Sequence, residues 1–264
     1  MLVRSEPRRI VSVCPSNTEI LCALGLQDRL VGIDDCSDWP PEVQGKARVG
    51  LDLQIDAAKV AALEPDLVVA SLSVPGMEQV VASLEARKLP ILVLNAKRLP
   101  EIWSDIALVG ERTGRVREAT ELLHGLQKRV AAVRARCEDA PRLKLYLEWW
   151  PRPLIAPTQK SWFNDMAEAV NAENIFADHP GESAPVTDAD VLARAPDHVL
   201  LCWCGTLQRK QDPAKVKTRP GWEQLAAVRE GRVAALDEGL FGRPGPRVVD
   251  GIEVLAKTVR PITK

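Results

Sequence analysis

The stretch Cys202-Trp203-Cys204 holds the residues best spaced for metal or thiol chemistry. Read as part of a strand from His198 to Trp203, it sets two thiols two positions apart, and such positions share a face. A zinc or iron site needs four ligands at recognisable spacing, such as paired CxxC motifs. Only Cys36, Asp38 and His179 could be recruited, and no motif ties them to the pair. One reading therefore remains open on these residues: a cytosolic metal-handling protein or enzyme that works through Cys202 and Cys204. The other cysteines at 14, 22 and 137 lie in apolar elements, where cysteine behaves as a small hydrophobe.

Other catalytic chemistry is thin. Of the three histidines, His124 belongs to a helix and faces solvent, His198 begins a strand, and His179 lies in a loop. Neither GxGxxG nor GxxxxGK follows a strand, and there is no glycine-flanked serine elbow. No catalytic residue, metal ligand or cofactor is assigned. Binding chemistry is better represented. Arg243, in Phe241-Gly242-Arg243-Pro244-Gly245-Pro246, could meet a carboxylate, phosphate or amide of a ligand, or simply cover a helix start. The chain holds seven tryptophans against three phenylalanines and one tyrosine. Trp39, Trp149, Trp150, Trp162 and Trp203 fall on or beside loops, a set that suits a large, flat, partly apolar ligand.

The elements that carry these residues alternate. Strands are predicted at Arg9–Cys14, Leu30–Ile33, Leu67–Ala70 and Ile91–Leu94, with helices at Ser16–Leu24, Asp56–Leu63, Pro75–Arg87 and Leu99–Arg112. The pattern restarts with strands at Lys144–Trp150, His198–Trp203 and Val233–Leu236. Helices are predicted at Ser161–Val170, Asp188–Ala195, Trp222–Val228 and Pro246–Val259. Such alternation implies an α/β fold with mainly parallel sheets. Ser16 and Glu19 have capping-box spacing. In open parallel sheets ligands gather beyond the carboxyl ends of the strands, where the loops 15–18, 34–41, 71–76, 149–160, 204–208 and 238–246 lie.

Between the two series, Val116, Ala119, Leu123, Leu126, Val130, Val133 and Cys137 recur at alternating intervals of three and four, one stripe of a helix. Alone, this fits an ordinary surface helix or a connector. With strand-and-helix units on both sides it reads as a connector, giving an N-terminal lobe 1–114, a connecting helix 115–138 and a C-terminal lobe 139–264.

Composition excludes several classes. The 35 basic and 36 acidic residues nearly cancel, without blocks of one sign, so nucleic acid and anionic membranes are not expected partners. No apolar run reaches the roughly 20 residues of a membrane span. The opening Met-Leu-Val-Arg has no apolar core of a secretion signal. Read as it stands, the chain is expected in the cytoplasm; a leader removed from it would place it in the periplasm or outside the cell.

Several motifs together resemble a family. Ser12-Val13-Cys14-Pro15-Ser16-Asn17-Thr18-Glu19, Cys36-Ser37-Asp38-Trp39-Pro40-Pro41 and Ala62-Leu63-Glu64-Pro65-Asp66-Leu67 come in order in the first half. Glu173-Asn174-Ile175-Phe176, Val191-Leu192-Ala193-Arg194-Ala195-Pro196 and Phe241-Gly242-Arg243-Pro244 follow in the second. The series resembles the cobalamin-binding substrate-binding proteins of ABC importers, within a superfamily that also takes siderophores and haem. The resemblance implies two Rossmann-like lobes joined by a rigid helix, with a ligand cleft between them and no enzymatic activity. It implies a monomer that binds a corrinoid, a siderophore or haem and works with an ABC permease. It further implies ligand contacts from Pro15, Ser16, Asn17, Trp39 and Ser71 in one lobe, although some relatives carry tryptophan where Ser71 stands. The second lobe would contribute Trp149, Trp150, Phe241 and Arg243, and the loop reading adds Trp162 and Trp203 to these candidate ligand contacts. Glu78 and Glu223 would meet arginines of the permease.

Overall fold

Residues 6–260 are described, in a computed structural model. They divide into two compact units. The first gathers the chain up to Ala96, then Pro100–Leu126 and Pro244–Pro246; the second gathers Lys97–Leu99, Gln127–Arg243 and the chain from Arg247.

The first unit runs β1 (Ile10–Ser12), α1 (Pro15–Ala23), β2 (Leu30–Ile33), β3 (Ala47–Arg48), β4 (Gly50–Leu51), β5 (Gln54–Ile55), α2 (Ala57–Ala62), β6 (Leu67–Ser71), α3 (Met77–Glu85) and β7 (Ile91–Leu94), then α4 (Leu99–Thr113). Its main sheet has the order β3-β2-β1-β6-β7 and every pairing in it is parallel. β6 sits beside β1 and is buried throughout, which is why Leu67-Val68-Val69-Ala70 is a continuous apolar run. Val11, Val13, Val68, Ala70, Val60, Val80 and Leu84 pack into one core cluster on this sheet. Asp56 caps α2 by accepting from the amides of Ala58 and Lys59, as its short carboxylate before an apolar turn favours.

The second unit runs β8 (Leu143–Glu148), β9 (Trp150–Pro151), β10 (Leu154–Pro157), α6 (Trp162–Ala169), β11 (Ala172–Asn174), β12 (Ser183–Val186), α7 (Asp188–Arg194), β13 (His198–Leu201), α8 (Ala214–Lys217), α9 (Ala226–Arg229), β14 (Val233–Ala235), α10 (Glu238–Phe241) and α11 (Val248–Val259), preceded by α5 (Val116–Cys137), which both units share. Its parallel sheet has the order β11-β8-β13-β14. Tyr146, Phe176 and Trp222 pack edge to face in its core, at centroid distances of 5.9–6.0 Å from Tyr146. The fold is α/β with parallel sheets, and the chain passes from one unit to the other inside α5, after Leu126. Along α5 the stripe from Ala119 through Leu126, Val130, Val133 and Cys137 is buried, Leu123 is half-buried, and His124 is exposed. Val116 departs from the stripe: it is a first-turn residue and 56% exposed.

Local chemistry corrects four other expectations. Helix α1 starts one residue early because Pro15 takes the first helical position, where its missing N–H and fixed φ cost nothing. Ser16 is thereby inside the helix, so the Ser16/Glu19 capping box does not form, and the Ser16 hydroxyl lies 3.3 Å from the Cys14 thiol. The strand expected through Trp150 stops at Glu148, and Trp150 opens a separate antiparallel sheet, β12-β10-β9, hidden in sequence by Pro151, Pro153, Pro157 and Pro185. The helix expected over Trp222–Val228 is a 3-10 turn, Trp222–Gln224, followed by α9. The capping box that does form is Thr187 with Asp190, at the start of α7.

Candidate functional site

In the first unit, the carboxyl end of the sheet is tied together by buried hydroxyls. Thr18 donates to Ser12 Oγ at 2.8 Å and its Oγ1 lies 2.7 Å from Ser37 Oγ. Ser37 in turn donates to Asp34 Oδ2 at 2.5 Å, and the Cys36 amide donates to Asp34 Oδ1 at 2.8 Å. Burial pushes Asp34 up to about 6, against the hydrogen bonds from Ser37 and Cys36. Arg48 closes the outer side of this loop, donating to the carbonyls of Asp34 and Ser37, both at 2.8 Å. The loop so fastened presents Trp39, which is 45% exposed. Leu51 and Leu53 of the neighbouring β4–β5 hairpin are exposed as well, and the Gly50 carbonyl accepts from Asp35 of the Trp39 loop at 2.8 Å.

Pro15, Ser16 and Asn17 form the first turn of α1 and are buried. Asn17 donates to the Val69 carbonyl at 3.1 Å, so its amide holds α1 against β6. Ser71 is buried at the end of β6 and bonds Ser73 Oγ at 2.9 Å. Glu78 is exposed in the first turn of α3, where it accepts from the amide of Gly76, a glycine with φ of 101°.

In the second unit, the corresponding sheet edge is organised around Glu148, the last residue of β8 and fully buried. Its Oε2 accepts from Tyr146 at 3.0 Å and from Arg219 Nη1 at 2.6 Å. Its Oε1 accepts from Arg219 Nη2 at 2.8 Å and from the Trp203 indole at 2.9 Å. Arg219 also lies over the Trp222 ring, 4.6 Å from its centroid. A buried carboxylate with these four donors is satisfied on both oxygens. It fixes the half-buried Trp203 by the indole N–H.

The other expected residues of this unit separate by exposure. Trp150 is 42% exposed and donates to the Arg152 carbonyl at 3.1 Å. Trp149 is half-buried and packs on Trp162 at 5.6 Å. Trp162 and Phe241 are buried, joined by the Trp162 indole donating to the Phe241 carbonyl at 2.7 Å. Arg243 is mostly buried and paired with Glu238 at 3.2 Å. Glu223 is exposed in the turn after Gly221, another glycine of positive φ, 83°. His179 is half-buried, with its ring nitrogen 3.1 Å from Arg194.

The thiol pair does not behave as a shared-face pair. Strand β13 ends at Leu201, before Cys202, so the two-residue repeat does not apply there. Cys202 is buried, and burial holds its thiol well above its ordinary range, while Cys204 is exposed. Among the described residues, no group of three or more His, Cys, Asp or Glu side chains is gathered as a metal ion would need. Sequence reasoning missed Glu148, Arg219 and Asp34. Two of them carried a signal: Glu148 and Asp34 are carboxylates directly ending apolar strands, where burial demands partners.

The chain matches the periplasmic binding protein family over residues 10–240. It belongs to that family. An uncharacterized ABC transporter substrate-binding lipoprotein of Bacillus subtilis, YvrC, is 31% identical to this periplasmic binding protein over 270 residues, covering 99% of this chain and 82% of the relative. Among solved structures, the periplasmic vitamin B12 binding protein BtuF of Vibrio cholerae superposes with a TM-score of 0.81 at 25% identity, covering 97% of each chain. A possible iron-binding, periplasmic solute-binding protein of Staphylococcus epidermidis gives 0.83 at 25% identity, covering 97% of this chain and all of the other. A solute-binding protein rather than an enzyme is thus the correct class, and the enzyme reading of Cys202 and Cys204 is set aside. No helix among the described residues is long and apolar enough to cross a membrane.

Proposed function

We propose that this periplasmic binding protein captures cobalamin or a related corrinoid outside the cytoplasmic membrane and delivers it to an ABC importer. The observation that carries the reading is the exposed indole of Trp39, held on a loop fastened by Asp34, Ser37 and Arg48. The second unit, taken by itself, also carries an exposed indole, Trp150, and a half-buried one, Trp203, held by Glu148. Fixed aromatic faces suit a wide, flat, partly apolar solute, because little conformational freedom is lost when it docks. The vitamin B12-binding relative supports the choice of corrinoid. No bond is made or broken; affinity comes from apolar contact and a few polar anchors.

On this reading Glu78 and Glu223 meet the permease. Each is exposed one residue into a turn that follows a left-handed glycine and an apolar residue, Gly76-Met77 and Gly221-Trp222. The two units thus present a matching carboxylate.

A siderophore or haem is the second reading, favoured by the iron-binding relative. Equilibrium dialysis of the purified protein against cyanocobalamin, cobinamide, haemin and a ferric hydroxamate separates the two. Retention of the corrinoids alone is expected, and retention of only haemin or the hydroxamate would overturn the corrinoid assignment.

A further inference from the structure

The chain between Trp203 and Arg219 leaves the second unit's sheet edge and returns to it, and both of its ends close on Glu148. The buried Gln211 staples the middle: its Oε1 accepts from the Trp203 amide at 3.2 Å, and its Nε2 donates to the carbonyls of Thr206 and Leu236 at 3.1 and 3.2 Å. Gln208 adds a bond to the Ala235 carbonyl at 2.8 Å. The segment is therefore an arm rooted on β8, β13 and the end of β14.

Its charge is one-sided. Arg209, Lys210, Lys215 and Lys217 are exposed, and among the described residues none of them makes an ion pair. Asp212, the arm's only carboxylate, caps the Ala214 amide at 2.9 Å. Arg219, at the arm's far end, does pair with a carboxylate, the buried Glu148. In a chain of formal net charge −1, an arm that carries four exposed, unpaired cations and is fastened to the Trp203 amide through Gln211 is a local positive field.

We propose that this arm receives an anionic group, a carboxylate or a phosphate, of the solute that the tryptophans hold. The proposal rests on the solute-binding reading above. Trp203 and the exposed Leu207 contact the apolar body, while the cations draw in and retain the charged substituent.

The test uses the full chain and a variant with Arg209→Gln, Lys210→Gln, Lys215→Gln and Lys217→Gln. Two pairs of probes share a ring and differ in an anionic group: cyanocobalamin against dicyanocobinamide, and haemin against its dimethyl ester. For whichever ring the protein binds, the variant is expected to lose about tenfold in affinity for the anionic member. It should keep its affinity for the other member and its melting temperature, and show a flatter salt dependence. Equal loss for both members, or no loss for either, would overturn the proposal. Quenching of tryptophan fluorescence, taken as the difference from a Trp203→Phe protein, needs no solute. The anion iodide should quench Trp203 less in the variant, while neutral acrylamide quenches equally. Unchanged iodide quenching would also overturn the proposal. A wild-type chain that bound no probe would instead sink the solute reading, leaving the iodide result to judge the arm's preference for anions.

Discussion

Glu148 receives both terminal nitrogens of Arg219, at 2.6 and 2.8 Å, with the carboxylate fully buried and the guanidinium mostly so. Such a pair recovers the cost of removing two charges from water only because every lone pair is used, here by Tyr146 and Trp203 as well. Burial and the adjacent Glu148 carboxylate both hold the Tyr146 hydroxyl far above its ordinary range, so it stays a donor at any physiological pH.

Removing one partner should therefore cost far more than the pair contributes. Glu148→Ala leaves Arg219, Tyr146 and Trp203 without their acceptor and should lower unfolding free energy by about 3–5 kcal/mol in urea titration. Glu148→Gln keeps an acceptor and should lose distinctly less. Equal losses for the two would contradict this, and would mean that the lost charge, not the retained acceptor, decides the stability of the site.

Asp34 makes stability depend on pH with a definite sign. Its folded-state value, about 6, lies above the ordinary 3.8, so between these values the folded protein binds the proton that the unfolded chain has released. Its contribution thus favours folding below about pH 4 and is lost as pH rises through 6, by on the order of 3 kcal/mol. Urea unfolding of wild type and Asp34→Asn at pH 4 and pH 7 checks this. The stability of wild type relative to the variant should be greater at pH 4; a constant difference would contradict it.

The buried stripe of α5 predicts a contrast between two valines of one helix. Val130 is buried and Val116 is exposed. Val130→Asp should cost about 3 kcal/mol or more in unfolding free energy, because a charge enters a packed core. Val116→Asp should change it by less than about 0.5 kcal/mol.

Much of this architecture was legible because it rests on period and punctuation. Leu67-Val68-Val69-Ala70 is apolar at every position, which only a strand covered on both faces needs. The stripe from Val116 to Cys137 marked the long helix, although it could not say that its first member, Val116, would stand in solvent. The antiparallel sheet was not legible: β9, β10 and β12 are short, and proline at 151, 157 and 185 removes the donors by which a strand is expected to pair. The candidate site was legible in its aromatic residues but not in what holds them. Trp203 announced itself by type, whereas its acceptor Glu148 lies far away in sequence, and such a pairing leaves no local pattern. Cys202 and Cys204 show the opposite error. A spacing rule valid inside a strand was applied past the strand's last residue.

The thiols supply an independent check of that correction. Cys204 is exposed, whereas Cys14 and Cys202 are buried with thiols pushed upward by burial, Cys14 to about 12. Brief alkylation of the native protein followed by peptide mass spectrometry should label Cys204 well before either. Prompt labelling of Cys202 would contradict the placement of this segment.

The central claim is that Trp39 helps hold a corrinoid. Isothermal titration of cyanocobalamin into wild type and Trp39→Ala tests it most directly. One site per chain is expected for wild type, with affinity reduced by about tenfold or more in the variant and melting temperature preserved, since an exposed ring lost from a ligand contact costs binding rather than folding. Absence of heat with wild type, or identical affinities for the two proteins, would contradict the account.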